Sequence, residues 1–250
     1  MKRLLASAAL LIAGVAAPAQ ASDLTQMSDA ERSAFRAEVR AYLMDNPEVI
    51  LEAYQVYEQR QAAAQAAIEQ QMVAAYAGKI FDDPNSWVGG NPNGDIVLVE
   101  FSDYRCGYCR KAHPEVQQLL EADGNIKLII KEFPILGDQS VLASRFAIAS
   151  RIVGGDEAYE KMHNAMMETK AAVSEKTLTR LANKLGLDGD AIRGKINDPL
   201  VDQIISENHQ LAQALQISGT PTFVLGTDLL RGYVPLADMM ELVEAAREDS

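Results

Sequence analysis

Cysteine is scarce in this chain, because only Cys106 and Cys109 occur among its 250 residues. A disulfide between them would close a very short loop, which removes little entropy from the unfolded chain, so the pair is a poor structural brace. A structural zinc site takes four Cys or His ligands. With no second CxxC and only three histidines, widely separated in the sequence, we expect neither a metal nor another cofactor. The pair therefore points to redox chemistry of its own thiols.

Positive charge is also scarce, with 23 Lys and Arg against 35 Asp and Glu and a formal net charge of −12. Binding to nucleic acid or to an anionic membrane surface depends on clustered Lys and Arg, so an acidic chain argues against both. Long apolar runs are missing beyond the N-terminus. We therefore expect no stable insertion into a membrane.

An apolar run at residues 4–15 has the pattern of a secretory signal peptide. A basic pair precedes it, and the small-residue cleavage pattern Ala19-Gln20-Ala21 follows. We predict a signal peptide over residues 1–21 and export to the periplasm. Cleavage would change the net charge to −14, because the removed segment carries two positive charges and no negative one. An N-terminal membrane anchor is the alternative, although the run is short for a membrane span.

Glycine is absent from residues 22–77, which are predicted to form an N-terminal helical stalk. Ser28 to Glu31 has the pattern of a helix capping box, and Asn46-Pro47 is typical of a boundary between two helices. A weak apolar stripe with heptad-like steps follows at Ile50, Tyr54, Tyr57, Gln61, Ala64 and Ile68. Because so thin a segment cannot bury its stripe on itself, we expect it to pack on the main domain or to self-associate.

Residues 78–95 are rich in Gly, Pro and Asn and are predicted to be a linker that leads into turns. The linker contains Trp87, the only tryptophan of the chain. We expect its indole to dock on the domain that follows.

Residues 96–250 predict an α/β domain in the order strand, helix, strand, helical block, two strands, helix. The apolar run 96–101 is typical of a strand that is buried on both faces. Residues 126–133 predict a parallel neighbour, reached by a right-handed crossover. The helical block covers about 137–216, and residues 222–233 predict a hairpin.

The two cysteines lie where a strand gives way to a helix. Cys106 opens the helix, where free backbone N–H groups and the helix dipole favour the thiolate, which is the nucleophilic form. Four basic side chains surround it in the sequence, namely Arg105, Arg110, Lys111 and His113. Cys109 follows one helical turn later and should face inward. We predict that Cys106 attacks and that Cys109 resolves the mixed disulfide.

Three features resemble the DsbA-like branch of the thioredoxin superfamily. They are Glu100-Phe101 four residues ahead of the Cys106-Gly107-Tyr108-Cys109 motif, the helical insert, and Gly219-Thr220-Pro221-Thr222. The resemblance covers about residues 95–248 and implies a thioredoxin fold with an inserted helical subdomain. A helical stalk ahead of such a domain is similar to the ScsC group, which is named for suppression of copper sensitivity.

The resemblance implies a substrate-binding role for Thr220 and Pro221. They would form a loop with a cis X–Pro bond beside the CxxC motif, where the backbone pairs with an extended substrate peptide. Isomerase-type members often carry Thr before this proline, whereas oxidases often carry Val. Gly107 and Tyr108, inside the motif, are expected to tune the redox properties of the pair.

The resemblance also implies a role for Glu100. It matches the buried acid with which family members move the proton of the resolving cysteine, here Cys109. Lys131 on the neighbouring strand is a candidate charge partner for this acid. The alternative for Glu100 is an ordinary carboxylate at the surface end of a strand.

Met162, His163, Met166 and Met167 have the composition of a copper-binding cluster. Their helical spacing fits a packed helix face equally well, and Met commonly fills gaps in cores. We favour the packed face and expect no metal site here.

Three functional hypotheses follow. The first is a disulfide isomerase whose self-associated stalk brings several active sites together, with a trimer preferred by resemblance. The second is a dithiol oxidase that donates its disulfide to newly secreted proteins. The third is a copper-binding protein that uses the two cysteines as soft ligands. For the first two, the expected partners are periplasmic proteins with cysteines and a membrane redox partner.

Overall fold

The computed structural model describes residues 27–248, so the predicted signal peptide lies outside the described part of the chain. The chain divides into two compact units, with the boundary between Arg60 and Gln61. The described part of the first unit contains helix α1 (Asp29–Asp45) and the beginning of helix α2 (Glu48–Ala75). The capping box at the start of α1 is confirmed, because the backbone N–H of Ser28 donates to Glu31 Oε2 at 2.8 Å and the Glu31 N–H donates to Ser28 Oγ.

The first unit leaves its apolar side chains exposed. No residue of α1 is buried. Four large aromatic side chains are at least half exposed in the single chain, namely Phe35, Tyr42, Tyr54 and Tyr57. The two helices therefore carry apolar surface that one copy of the unit does not cover.

The end of α2 belongs to the second unit, although the sequence assigns all of 22–77 to one stalk. Val73 is buried in a core cluster of this unit. Glu69 accepts a hydrogen bond from Arg231 Nη2 at 3.0 Å, and Gln70 Nε2 donates to Asp228 Oδ1 at 3.2 Å. The helix extends to Ala75, in agreement with the predicted helical segment, and its last turns pack within the second unit.

The predicted linker at 78–95 contains regular structure, which corrects that prediction. Helix α3 (Ala77–Phe81) is followed by strand β1 (Trp87–Gly90), which forms the edge of the sheet. Trp87 docks as expected, and its Nε1 donates to the Asp156 carbonyl at 3.1 Å. Its ring covers Gly89, where an added Cβ would lie 2.1 Å from the indole. The glycines that suggested a linker thus allow the tryptophan to pack over an edge strand.

A five-stranded sheet carries the rest of the unit, in the order β1-β3-β2-β4-β5. Strands β2 and β3 are parallel, and helix α4 connects them, as predicted. The other neighbouring pairs are antiparallel. The remaining bounds are β2 Ile96–Ser102, α4 Gly107–Asp123, β3 Ile126–Glu132, β4 Thr222–Leu225, β5 Asp228–Arg231 and α9 Leu236–Glu248.

The predicted helical block lies between β3 and β4. It consists of α5 (Asp138–Glu168), α6 (Glu175–Lys184), α7 (Gly189–Lys195) and α8 (Pro199–Ala214). Gly155 interrupts α5 with a positive φ of 73°, a conformation that glycine adopts without steric cost. Pro199 is the first residue of α8.

Helices cover both sides of the sheet. Successive side chains of a strand point to opposite faces, so Leu98 packs with core residues of α4 and α5 on one side. Val99 and Phe101 pack on the other side with residues such as Val73 and Leu211. Strand β2 is therefore buried on both faces, as its apolar run predicts. Among residues 27–248, no helix combines the length and the apolar character needed to cross a bilayer.

Candidate active site

The start of α4 positions the two cysteines. Cys106 is the N-cap residue with an extended backbone, and its carbonyl accepts a hydrogen bond from the Arg110 N–H at 3.1 Å. Both cysteines are free thiols. Cys106 keeps 7% of its surface exposed, whereas Cys109 has none. A reagent from solvent thus reaches Cys106 first, and Cys109 lies behind it on the inner side of the helix.

The loop before β4 lies against the Cys106 thiol. The Thr220–Pro221 peptide bond is cis. The Cys106 thiol donates to the Thr220 carbonyl at 3.1 Å. The structure therefore places the two residues predicted to bind substrate next to the residue predicted to attack it. The Pro221 carbonyl is tied to the end of the β4–β5 hairpin by the Gly232 N–H at 2.9 Å.

Gly107 and Tyr108 lie at the exposed side of the motif. Tyr108 is 64% exposed, and a Cβ on Gly107 would meet no other atom. Neither residue is held by surrounding packing. Their predicted tuning role would therefore act through the helix start and through contact with a bound partner.

Glu100 is buried, with 4% of its surface exposed, so the alternative of a surface carboxylate is wrong. It lies on the face of β2 that Leu98 packs against α4. Its Oε1 accepts a hydrogen bond from Ser102 Oγ at 2.8 Å. Burial raises the pKa of Glu100 to about 7, and the nearby carboxyl of Glu132 contributes in the same direction. Burial also raises the pKa of the Cys109 thiol well above that of a free cysteine, with a further contribution from Glu100. Cys109 is therefore held as a thiol beside an acid that titrates near neutral pH.

Lys131 is not the charge partner of Glu100, which corrects the sequence-based expectation. Lys131 pairs in register with Phe101, whereas Glu100 pairs with Ile130. Paired residues in a sheet share a face, and adjacent residues point to opposite faces. Lys131 therefore points away from Glu100, and its Nζ lies 2.6 Å from Asp83 Oδ2 and 2.8 Å from the Lys79 carbonyl.

Glu132 faces the same side of the sheet as Glu100, and the sequence analysis missed it. Its Oε1 accepts hydrogen bonds from the hydroxyls of Tyr104 at 2.7 Å and Tyr159 at 2.5 Å. Its other oxygen, Oε2, is buried without a hydrogen-bond partner in the described part of the chain. Burial raises the pKa of Glu132 to about 7. The strand parity that excludes Lys131 would have identified Glu132, because it pairs with Ser102.

His163 extends this buried polar group. Its Nδ1 lies 2.9 Å from the Tyr104 hydroxyl, and its ring stacks on Tyr159 at 5.7 Å between centroids. Burial lowers the pKa of His163 to about 3, and the neighbouring His113 acts in the same direction. His163 is therefore neutral. The Tyr104 hydroxyl thus links the His163 imidazole to Glu132.

Met162, His163, Met166 and Met167 are all buried, as a packed helix face requires. Histidines 113 and 163, which are far apart in the sequence, have ring centroids 5.3 Å apart. In residues 27–248, no group of three or more His, Cys, Asp or Glu side chains is arranged to hold a metal ion.

The basic residues around the motif have partners of their own. Arg105 donates to Gln139, and Arg110 donates to the Thr169 carbonyl. The Lys111 ammonium lies 3.9 Å from the centre of the Tyr233 ring. Burial lowers the pKa of His113, which disfavours its charged form. Free backbone N–H groups at the start of α4 also favour negative charge at that end of the helix.

Asp103 is a second residue that the sequence analysis missed. Its Oδ2 accepts from the backbone N–H groups of Ile135 at 2.8 Å and Leu136 at 3.1 Å. Its Oδ1 accepts from Ser140 Oγ at 2.8 Å. The Asp103 carbonyl accepts from the Cys106 N–H at 3.0 Å. Asp103 thus fixes the turn ahead of Cys106 to the start of the helical insert.

Comparison with known proteins identifies the family. Residues 97–245 match the model of the DSBA-like thioredoxin domain, and residues 31–64 match that of the copper resistance protein ScsC N-terminal domain. The chain belongs to the DSBA-like thioredoxin family. The second unit accordingly has a thioredoxin-like fold with helical insertions, as the sequence predicts.

Solved structures agree with this assignment. A thioredoxin-like oxidoreductase from Silicibacter pomeroyi is 40% identical, with 69% of this chain and 98% of that chain covered and a TM-score of 0.65. The thiol–disulfide exchange protein alpha-DsbA2 from Wolbachia pipientis is 28% identical, with coverages of 73% and 97% and a TM-score of 0.68. Proteus mirabilis ScsC in a transitional conformation is 25% identical, with coverages of 90% and 100% and a TM-score of 0.67.

Curated relatives include much longer proteins. The chain spans 22% of the length of the first relatives that it matches, which are Na⁺/H⁺ antiporters NhaA from Salinispora arenicola and Salinispora tropica. A domain of this family therefore also occurs within larger chains.

Proposed function

We propose that the protein is a periplasmic thiol–disulfide oxidoreductase that reshuffles disulfides in secreted proteins. The observation that carries the proposal is the position of Cys106. Its thiol lies at a helix start, 3.1 Å from the Thr220 carbonyl, with the enclosed Cys109 behind it. The similarity to a periplasmic thioredoxin-like protein from Salmonella enterica, 25% identical with a TM-score of 0.60, supports the location.

The first step is attack on a substrate disulfide. The Cys106 thiolate bonds to one substrate sulfur, the substrate S–S bond breaks, and the other substrate sulfur leaves as a thiolate that takes a proton from solvent. The product is a mixed disulfide between Cys106 and the substrate. The backbone beside the cis Thr220–Pro221 bond would hold the substrate segment extended across the thiol.

Two outcomes then compete. In isomerisation, a second thiolate of the substrate attacks the substrate sulfur of the mixed disulfide and restores the Cys106 thiolate, so no net oxidation occurs. In reduction, Cys109 loses its proton and attacks Cys106, which releases the reduced substrate and leaves the Cys106–Cys109 disulfide. The carboxylate form of Glu100 would accept that proton, because the pKa of Glu100 is raised to about 7 and it lies beside Cys109. Oxidation of a substrate is the reverse of reduction.

Self-association through the N-terminal unit would favour isomerisation. The exposed apolar side chains of α1 and of the first part of α2 are available to cover one another in a homo-oligomer, with a trimer preferred. Several active sites would then act on one substrate. The match of residues 31–64 to the ScsC N-terminal domain supports this assignment.

The test compares the mature protein with a variant that lacks residues 22–60. This boundary retains Val73 and Glu69, which belong to the second unit. The expected result is that the mature protein refolds a substrate with scrambled disulfides, whereas the shortened variant oxidises reduced substrate but no longer isomerises. Equal isomerase activity in both would contradict the role of the N-terminal unit. Light scattering that gives a monomer mass for the mature protein would contradict self-association.

Oxidase activity is the second candidate, since a DSBA-like domain covers most of the second unit. Its signature would be rapid oxidation of a reduced substrate by the Cys106–Cys109 disulfide, with little recovery of a scrambled substrate. A membrane redox partner would then be needed to reoxidise the pair.

A further inference from the structure

A cavity of about 180 Å³ adjoins the motif on the side of the helical insert. Tyr104 and Arg110, which flank the CxxC on either side in sequence, form one wall, and residues of α5 and α6 form the others. Arg110 lies one helical turn after Cys106, and its guanidinium reaches the Thr169 carbonyl at the wall of the cavity. An apolar cavity of about 150 Å³ is large enough to hold benzene, so this one accommodates a side chain the size of Leu or Phe.

The lining of the cavity combines an apolar floor with positive charge. Met166, Val173, Leu178 and Leu181 contribute apolar surface. Arg110, Arg180 and Lys184 also line the cavity, and no Asp or Glu does. This is unusual in a chain with 35 acidic and 23 basic residues.

The three cations lack acidic partners of their own. Across residues 27–248, the ion pairs involve other Lys and Arg side chains, and none includes Arg110, Arg180 or Lys184. Arg180 and Lys184 are exposed and lie four residues apart on α6, so they share one face of that helix. The positive charge at the cavity is therefore available to a ligand.

The walls are fixed by local hydrogen bonds. Arg110 binds the Thr169 carbonyl at the end of α5. Thr177 Oγ1 donates to the Ala172 carbonyl at 2.6 Å, and Ser174 caps α6. A ligand would thus meet a largely formed site.

We propose that this cavity binds a segment of the substrate polypeptide in which an apolar side chain neighbours Asp or Glu. The apolar side chain would enter the cavity, and the carboxylate would meet Arg180 and Lys184. The lining holds no Asp or Glu, so no acidic side chain of the cavity would repel the carboxylate of the bound segment. The proposal rests on the proposed oxidoreductase function and adds a preference among its substrates.

The test uses three short fluorescent peptides without cysteine, so that binding is measured apart from redox activity. One carries Leu flanked by Glu, one carries Leu flanked by Lys, and one carries Ser flanked by Glu. Full-length protein is titrated into each, and fluorescence anisotropy is recorded. The Leu–Glu peptide should bind about tenfold more tightly than either of the others, and the difference should shrink as salt is raised.

Three variants assign the binding to the cavity. The double variant Arg180→Glu/Lys184→Glu should abolish the preference for the Leu–Glu peptide. Lys176→Glu is the control on the same helix, because it reverses one positive charge, where the double variant reverses two, at an exposed site that does not line the cavity. Ala172→Phe should weaken binding by filling the cavity without any change of charge. Equal affinity for the three peptides, or an unchanged preference in the double variant, would overturn the proposal.

A redox assay separates this proposal from the proposed function. Cysteine-containing versions of the Leu–Glu and Leu–Lys peptides, supplied as disulfides, are reduced by the dithiol form of the protein. Faster exchange with the Leu–Glu disulfide supports the cavity. Equal rates overturn the substrate preference but retain the oxidoreductase, whereas no exchange with either disulfide overturns the proposed function itself.

Discussion

The two sides of the sheet differ in how their buried ionisable side chains are paired. On one side, the Lys131 ammonium is 1% exposed and lies 2.6 Å from the Asp83 carboxylate. On the other side, Glu100 and Glu132 are enclosed, and neither accepts a hydrogen bond from Lys or Arg within residues 27–248. A buried charge must be paired or neutralised. The first side pairs its charges and stays ionised, whereas the second keeps its acids largely protonated up to about neutral pH.

The difference has a direct consequence for Cys109. An ionised acid pair beside it would oppose its thiolate, and a neutral pair can hold or release a proton near neutral pH. The unpaired side of the sheet is the one that lies beneath the motif. The ion pair of Lys131 with Asp83 therefore stabilises the fold on one side of the sheet. Glu100, on the other side, can exchange a proton with Cys109.

Loss of the Asp83 carboxylate should have the largest effect on stability. In Asp83→Ala, the Lys131 ammonium remains buried without an acidic partner, and we expect the free energy of unfolding to fall by about 3 kcal/mol. Urea unfolding near neutral pH measures this. The double variant Asp83→Asn/Lys131→Met should be less destabilised, because both charges are removed. A loss below about 1 kcal/mol in the single variant would show that the pair is not effectively buried.

The loss of stability in Asp83→Ala should depend on pH, because only the ionised Asp83 carboxylate pairs with Lys131. Burial alone would raise the pKa of Asp83. The Lys131 ammonium and nearby hydrogen-bond donors outweigh burial and lower this pKa below its ordinary value. The carboxylate therefore stabilises the fold above the pKa of the unfolded chain, and this contribution disappears as the pH falls through the folded pKa. The deficit of Asp83→Ala should accordingly shrink in acid.

Replacement of Glu100 or Glu132 should raise the free energy of unfolding near neutral pH, whereas replacement of Asp83 lowers it. Glu100 and Glu132 each have a pKa of about 7 in the folded protein, against an ordinary value of 4.5. Their protonated forms favour the fold, so wild-type stability should be lost as the pH rises from about 4.5 to about 7. Glu100→Gln and Glu132→Gln should each remove part of this loss and gain on the order of 2 kcal/mol above pH of about 7.

Unfolding curves for these variants at acid and alkaline pH provide the check. Below about pH 4.5, where the acids are protonated in both states, the Gln variants should match the wild type. The same gain at every pH would mean that packing, and not protonation, sets the difference. Glu100→Gln should also slow release of the substrate from the mixed disulfide, since it removes the group that receives the Cys109 proton.

The smallest effect should come from Ser102→Ala. The Ser102 hydroxyl donates to Glu100 and favours its charged form. Its loss should destabilise the protein by about 1 kcal/mol and move the titration of Glu100 to higher pH. A ¹³C NMR titration of the glutamate carboxyls would measure this, and a shift to lower pH would contradict the assigned hydrogen bond.

The sequence predicts much of the fold for identifiable reasons. Apolar runs define β2 and β3, and Gly155 and Pro199 break the helical block where the structure breaks it. The edge strand β1 escaped prediction because two of its four residues are glycines, which ordinarily mark turns. Glycine is required at position 89 because the Trp87 ring packs over it. The periodicity of apolar residues does not reveal such a contact between a side chain and the backbone.

The site was predicted less completely. The motif and the Thr220–Pro221 loop follow from a strand-to-helix junction and from a resemblance. The pairing of Lys131 with Asp83 could not be predicted, because Asp83 lies in the presumed linker. Glu132 could have been found from strand parity alone. Asp103 acts through a distant turn, and only the folded chain brings Ile135 and Leu136 to it.

Trapping of the mixed disulfide tests the central claim most directly, namely that Cys106 attacks and Cys109 resolves. Cys109→Ser and Cys106→Ser are each incubated with a protein that carries disulfides, quenched with acid and analysed by mass spectrometry. A covalent complex with the substrate should accumulate in Cys109→Ser and not in Cys106→Ser. Accumulation in Cys106→Ser but not in Cys109→Ser would contradict it.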